Sequence, residues 1–310
     1  MKIGLIDVDG HNYPNLALMK ISAYHKAKGD TVTWYDPMFS GHQDKVYMSK
    51  VFSFTPDFDW TIDADEVERG GTGYCIDLVN GQEVFVPERN KNLPYEIEHI
   101  YPDYSIYPEY TKDTAFGFLS RGCPRACDFC IVSKKEGRCS IKVADLSEFW
   151  RGQKNVVLCD PNILACPDWR DLLQQLIDSK AKVDFNQGLD IRLMTPEKID
   201  YLRQIKIKEI HFAWDRYEDK DKVLPKFKMF AELWPHKMRH NIGVYTITNY
   251  STTLEEDLDR IYTLRDLGFW PYIMIYDKEH APKVYRRLQR WVNMRATFYT
   301  VKRFEDYIDG

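Results

Sequence analysis

The densest chemistry in the chain lies in Ser120-Arg121-Gly122-Cys123-Pro124-Arg125-Ala126-Cys127-Asp128-Phe129-Cys130, where three cysteines stand at the spacing C-x3-C-x2-C. A loop this compact can aim Cys123, Cys127 and Cys130 at one point. Thiolates are soft ligands that suit zinc and iron-sulfur centres. A four-iron cluster accepts one thiolate per iron, so three ligands leave one iron open to the oxygen and nitrogen donors of a small molecule. A cluster that only carried electrons would normally fill that position with a fourth cysteine. Gly122 allows close backbone approach and Pro124 stiffens the turn, while Phe129, between two ligands, is placed to shield a cluster or cover a bound ring. Zinc held by the three cysteines and another Cys or His is the competing reading, with buried thiols a third. Zinc sites more often pair C-x2-C units, and burial alone does not account for three cysteines in one Gly-Pro-Arg loop.

The elements that must hold this loop follow from hydrophobic periodicity. From about residue 115, short apolar runs alternate with amphipathic helical patterns: Ala115–Leu119, Asn155–Cys159, Lys182–Phe185, Glu209–Trp214, Ile242–Ile247 and Pro271–Tyr276. Helix starts lie between them at Pro167-Asp168, Thr195-Pro196-Glu197 and Thr252-Thr253, and another helix follows Ala281-Pro282. From the second strand on, starts recur at roughly thirty residues, the length of a βαβ unit, which predicts a parallel sheet, either open and doubly wound or an incomplete barrel. In both, the reactive face is at the C-terminal ends of the strands. The amino-terminal part differs. A strand is expected over Lys2–Asp7, a helix over Leu16–Lys28 and a strand over Thr31–Tyr35. Pro, Gly, Asp and aromatic residues then dominate to about Pro108, with a hairpin strand near Val46–Phe54 and a glycine turn at Gly70-Gly71-Thr72-Gly73.

C-x3-C-x2-C on the loop after the first strand of a repeating (βα) domain resembles the signature of the radical S-adenosylmethionine (SAM) superfamily, and Arg121-Gly122-Cys123-Pro124 with Phe129-Cys130 is similar to its common local form. The likeness covers the motif and, more loosely, residues 115 to 280. It implies an α/β fold: a partial (βα)6 TIM-like barrel, here preceded by a small Rossmann-like α/β domain. It also implies a [4Fe-4S] cluster on Cys123, Cys127 and Cys130, whose open iron chelates the amino and carboxylate groups of SAM. One electron then cleaves the sulfonium to methionine and a 5′-deoxyadenosyl radical that abstracts hydrogen from a substrate. A flavodoxin or ferredoxin is the electron donor the family implies. The expected domains are 1–110, an α/β domain with an irregular connector; 111–280, the barrel; and 281–310, a helix and tail.

Polar residues stand where the expected strands end. After the second strand, where the family often has a Gly-Gly-Glu segment, this chain has Cys159-Asp160-Pro161-Asn162, so Asp160 and Asn162 are the candidates for the methionine end although the glycines are missing. After the third come Asn186-Gln187-Gly188-Leu189-Asp190-Ile191-Arg192; Gln187, Asp190 and Arg192 suit ribose hydroxyls or a carboxylate, or else a helix cap with a surface ion pair. Asp215 and Asn249 end the fourth and fifth strands, and Tyr276 and Asp277 follow the sixth. Cys139, Cys159 and Cys166 are expected to be buried thiols rather than ligands of a second cluster, and Cys75 an inert one. His211 is expected to be packed within its strand.

At the amino terminus, Ile6-Asp7-Val8-Asp9-Gly10 resembles the D-x-D-G of haloacid-dehalogenase-like phosphatases, with His11 where that family has Thr. Asp9-Gly10-His11-Asn12-Tyr13-Pro14 is also similar to the D-x-H-x-x-G cobalamin loop, with Pro14 for Gly. A degenerate, cobalamin-free Rossmann-like domain is the expectation, with cobalamin as the less favoured cofactor. Cobalamin-assisted methyl transfer or methylthiolation on the same barrel, and a non-catalytic iron-sulfur or zinc module, are the alternative functions.

Composition sets the outer bounds. The chain has 310 residues, 44% hydrophobic and 29% charged, with 43 Lys+Arg against 47 Asp+Glu. This excludes disorder and collagen-like repeats, and about two domains of this size need no disulfide framework. The net charge of −4 gives no global attraction for nucleic acid. No apolar run approaches the roughly 20 residues of a membrane span, and Met1–Ile6 leads into acidic residues rather than a secretory signal, so a cytoplasmic protein is expected.

Overall fold

The computed structural model describes residues 1–79, 82–235 and 242–308; the last two residues of the expected tail, 309 and 310, lie outside them. The chain divides into two compact units, Met1–Val157 and Leu158–Gly310.

The first unit begins with β1 (Lys2–Asp7), α1 (Leu16–Ala27) and β2 (Thr31–Trp34). Helix α1 starts where the Leu18 N–H donates to Asn15, and it buries Leu18, Met19, Ile21, Ser22 and His25, the spacing of one helical face. Strands β3 (Gln43–Ser49) and β4 (Ala64–Gly70) complete a four-stranded sheet in the order β2-β1-β3-β4. The expected hairpin strand near Val46 is therefore β3, and it runs parallel to β1, with Ile3 opposite Lys45 and Leu5 opposite Tyr47. β4 was not expected, because Ala-Asp-Glu-Val-Glu-Arg-Gly lacks an apolar stripe. It is held instead by parallel pairing to β3 and by Lys45, whose ammonium lies 2.9 Å from Glu66 and 2.7 Å from Glu68. Charges of this kind suit an edge strand. Ile3, Leu5, Leu18, Ile21 and Ile97 form a core on one face of the sheet, and Ile6, Tyr35, Val46 and Met48 form a second cluster.

Hairpin β5 (Ile76–Val79) and β6 (Gln82–Phe85) follows, then the short helices α2 (Tyr95–Glu98) and α3 (Pro108–Thr111). Next come β7 (Thr114–Gly117), β8 (Ser120–Arg121), the one-turn α4 (Val132–Lys135), β9 (Ile141–Lys142) and β10 (Asn155–Leu158).

The remaining elements alternate as the periodicity predicts: α5 (Trp169–Ser179), β11 (Lys182–Leu189), α6 (Pro196–Gln204), β12 (Lys206–Ala213), α7 (Lys220–Leu233), β13 (Ile242–Thr248), α8 (Leu254–Asp266), β14 (Trp270–Ile275), α9 (Lys283–Asn293) and α10 (Arg295–Thr300). The second sheet has six strands in the order β14-β13-β12-β11-β10-β7, and β11 through β14 pair in parallel. Sequential order in a parallel sheet is what successive βα units build. Helix α7 covers one face of β12, its Phe227 and Phe230 meeting Phe212 edge-on. Ile261, Ile273, Tyr285, Leu288, Trp291, Val292, Phe298 and Phe304 form one core, so α9 and α10 are packed on α8 and β14 rather than trailing from them. No helix among the described residues is long and apolar enough to cross a membrane.

Candidate cofactor site

The three-cysteine loop hangs from a short neck. Strands β8 and β9 pair antiparallel, Ser120 opposite Lys142 and Arg121 opposite Ile141, and return the chain to its starting point around residues 122–140. Gly122 sits at φ +86°, and a Cβ there would lie 2.1 Å from the Cys139 carbonyl oxygen, so only glycine fits this close crossing. Its N–H donates to Glu136 Oε2 at 3.2 Å, and the other oxygen of that carboxylate lies 3.0 Å from Arg121 Nη1. Glu136 thus fastens the end of β8 to the returning side of the loop, a positioning role its sequence position does not advertise. Inside the loop, the Cys123 N–H donates to the Gly137 carbonyl at 3.1 Å and the Cys130 N–H to the Cys127 carbonyl at 3.0 Å, while Ala126 turns the chain at φ +49°. Cys123, Cys127 and Cys130 are all half-buried.

The donor set fits a cluster that carries negative charge: three thiols lie in a loop whose residues 121–138 include five basic side chains and two acidic ones. One of the bases, Lys135, donates to Thr72 Oγ1 at 2.5 Å, and burial lowers its pKa. Of the cysteines expected to be buried, Cys166 and Cys75 are buried and Cys159 is half-buried, but Cys139 is exposed. It lies at the loop's neck, where its carbonyl, not its thiol, packs on Gly122.

In the second unit, parallel pairing places the C-terminal ends of β11 to β14 along one edge, and Asp190, Arg192, Asp215 and Asn249 follow those ends. Asp160 and Asn162 follow β10 and are almost fully buried, at 4% and 2% exposure. The next group departs from expectation: Asn186, Gln187 and Gly188 do not follow a finished strand but interrupt β11, which loses register after Phe185 and resumes it with Leu189 opposite Phe212. Gly188 makes this possible at φ +96°, its ideal Cβ position 3.4 Å from the His211 carbonyl oxygen, and Tyr245 Oη donates to the Asn186 carbonyl. Gln187 is exposed on this irregularity.

Asp190 accepts the Arg192 N–H at 3.1 Å and lies 2.8 Å from Arg192 Nε, while Arg192 Nη1 lies 3.0 Å from Asp219. Both members of the cap and ion pair are therefore present, which orients the guanidinium. Asp215, just beyond β12, accepts the Ile247 N–H at 3.3 Å. Burial pushes its carboxyl up to about 6, against the opposing pull of that N–H and of Arg260, Arg192 and Arg216. Asn249 occupies the left-handed region at φ +62°, its side-chain amide donating to the Tyr276 carbonyl at 3.1 Å, so it shapes the turn after β13 and ties it to the end of β14.

Sequence reasoning missed the group that fastens these ends. Arg260 and Asp257, one turn apart on α8, are paired and fully buried. The Arg260 guanidinium also donates to the carbonyl oxygens of Trp214 and Ile247, at the ends of β12 and β13. The only sequence signal was the capping box of Thr253 and Glu256 that opens α8, which fixes the helix start but not the ion pair behind it.

No family model and no curated protein matches the chain. Among solved structures it is similar to the radical S-adenosylmethionine methyltransferase TsrM from Kitasatospora setae with cobalamin and a [4Fe-4S] cluster bound. The TM-score is 0.64 at 12% identity, covering 88% of this chain and 72% of that one. The same methyltransferase with its tryptophan substrate and the SAM analog aza-SAM bound gives 0.62 at 11% identity over the same shares. At this identity the likeness is one of fold, and it agrees with the expected class: a Rossmann-like parallel α/β sheet with a partial TIM-like (βα)6 barrel.

Proposed function

We propose that the chain is a radical SAM enzyme. The observation that carries the reading is the three-thiol loop, closed at Gly122, that follows the first strand of the barrel sheet in a fold similar to that of a radical SAM methyltransferase. Cys123, Cys127 and Cys130 would hold a [4Fe-4S] cluster with one iron left for SAM. When bound, that cluster supplies the electron that cleaves SAM to methionine and a 5′-deoxyadenosyl radical. The protein's own work is positioning and exclusion of water. Glu136 and Gly122 set the loop. Asp160 and Asn162 are the candidates for the methionine end, with Gln187, Asp190, Arg192, Asp215 and Asn249 for the ribose and carboxylate. Arg192 is oriented for this by its two carboxylate partners, and Arg260 keeps two of the strand ends in place. A soluble ferredoxin or flavodoxin would deliver the electron.

A second reading, cobalamin-assisted methyl transfer, is supported by the extent of the likeness to TsrM, 88% of this chain. Against it stands Asp9 of the cobalamin-like loop, which is engaged within the first unit. Asp9 accepts from Thr55 Oγ1 at 2.6 Å and the Phe52 N–H at 3.2 Å, and the His11 ring packs 4.1 Å from that of Trp34. We therefore favour a cobalamin-free enzyme.

The test is anaerobic reconstitution with iron and sulfide, followed by reduction with dithionite in the presence of SAM. The wild-type chain is expected to release 5′-deoxyadenosine and Cys127→Ala to release none. Equal amounts from the two proteins, or none from either when the wild type holds close to four irons, would overturn the assignment.

A further inference from the structure

The second unit contains a group of side chains that the proposed SAM chemistry does not use. Asp184 on β11 and Glu209 and His211 on β12 each offer one ligand atom, and these atoms lie within 4.8 Å of one another. The register explains the grouping. The pairing of β11 with β12 shifts after Val183, which brings Asp184 opposite Glu209, and His211 lies two residues further along the same face. That face is the one away from α7, since Phe212 points to the helix, and it continues through Tyr245 on β13 to Tyr272 on β14.

Three features suit the group to a cation. First, Asp184 is only 8% exposed, yet among the described residues its Oδ1 is buried without a hydrogen-bond partner and its Oδ2 meets Lys208 Nζ at 3.3 Å. A carboxyl with an oxygen left unsatisfied in the interior is costly unless it takes up a proton or a cation reaches it. Second, the imidazole is fixed as metal-binding histidines are. Its Nδ1 lies 3.3 Å from the Phe185 carbonyl, an acceptor only, so Nδ1 donates there and Nε2 is the nitrogen turned toward Glu209. The ring stacks on Tyr245 at 4.8 Å and 6° between planes. Gly243 leaves the space: a Cβ there would lie 2.9 Å from the ring. Third, Nε2 is 3.6 Å from Glu209 Oε2, close to the roughly 3.3 Å between two ligands of a tetrahedral ion. The 4.8 Å limit slightly exceeds the span of two such bonds, about 4.2 Å, so the ligands must draw together slightly on an ion, and Glu209 is exposed enough to move. Lys208 is itself half exposed and can withdraw as the ion arrives.

We infer that Asp184, Glu209 and His211 form a site for one divalent first-row cation such as manganese or zinc. Two carboxylates and an imidazole match that class, and three protein ligands leave positions for water or an oxygen-donor group. This site is independent of the cysteine loop.

Manganese separates the two, because it is hard enough to avoid thiolates. The reconstituted 310-residue chain, stripped of loosely bound metal with a chelator, is titrated with manganese chloride while free ion is followed by electron paramagnetic resonance. One ion per chain is expected, and Asp184→Asn, Glu209→Gln and His211→Ala should each weaken binding at least tenfold, with circular dichroism confirming the fold. Zinc chloride should displace the manganese. A Cys123→Ala/Cys127→Ala/Cys130→Ala chain should bind manganese as the wild type does, whatever the fate of the iron-sulfur reading. No saturable binding, or binding that persists in the exposed-site variant Glu209→Gln and in His211→Ala, would overturn the proposal.

Discussion

Asp215 shows how a single side chain can be tuned by its surroundings. Its carboxyl titrates near 6 in the folded chain against an ordinary 3.8, chiefly because burial disfavours the charge. The folded state therefore holds the proton longer than the unfolded one. The cost of ionisation is fully present above pH 6, shrinks as pH falls through that value and vanishes below about 4. Asp215→Asn, which keeps an acceptor for the Ile247 N–H, is expected to raise the melting temperature at pH 7.5 by on the order of 2 °C and to leave it unchanged at pH 4. The same variant should raise the KM for SAM if the carboxylate meets the cosubstrate. Asp7 is also pushed up to about 6, by burial beside Tyr107, so some gain in stability on acidification should survive in the variant. Gly122 poses a different constraint. Gly122→Ala should lose most of its reconstituted iron, measured per chain. Gly137→Ala, on the same loop with a similar φ but open space around the new methyl, should retain it.

At the scale of elements, the buried Asp257–Arg260 pair makes a sharp stability prediction. Asp257→Ala leaves a guanidinium at zero exposure without its ion-pair partner, which should cost about 3–5 kcal/mol in urea unfolding, whereas the double change Asp257→Leu/Arg260→Met should cost less. The strands themselves were largely legible: β1 matches its expected bounds, and β12 through β14 fall within a few residues of theirs. Periodicity reads a side chain that alternates between core and solvent, and it fails where pairing rather than burial makes the strand. Charged β4 was invisible for that reason, and β11 was cut short at Phe185 because Asn186-Gln187-Gly188 looks like a loop, although the chain re-enters the ladder at Leu189. The cysteine trio was legible because its ligands are close in sequence. Asp184, Glu209 and His211 were not, since a register shift between two strands brings them together and no local spacing records it.

For the molecule as a whole, the amino-terminal sheet is where fold and function must be separated. Its four parallel strands were half-legible, as one βα start followed by an irregular stretch, because β3 and β4 follow one another without a covering helix in between. A similar fold accompanies cobalamin in TsrM, so architecture alone does not decide whether this chain takes it. We favour the cobalamin-free form because Asp9 is spent on the 51–55 segment and the His11 imidazole lies against Trp34 and Tyr107. Reconstituted protein incubated with hydroxocobalamin and passed through a desalting column is therefore expected to carry no corrinoid absorbance, and added cobalamin should leave 5′-deoxyadenosine release unchanged. Retention of one corrinoid per chain, lost in His11→Ala or Asp9→Ala, would instead favour methyl transfer, and S-adenosylhomocysteine should then appear among the products.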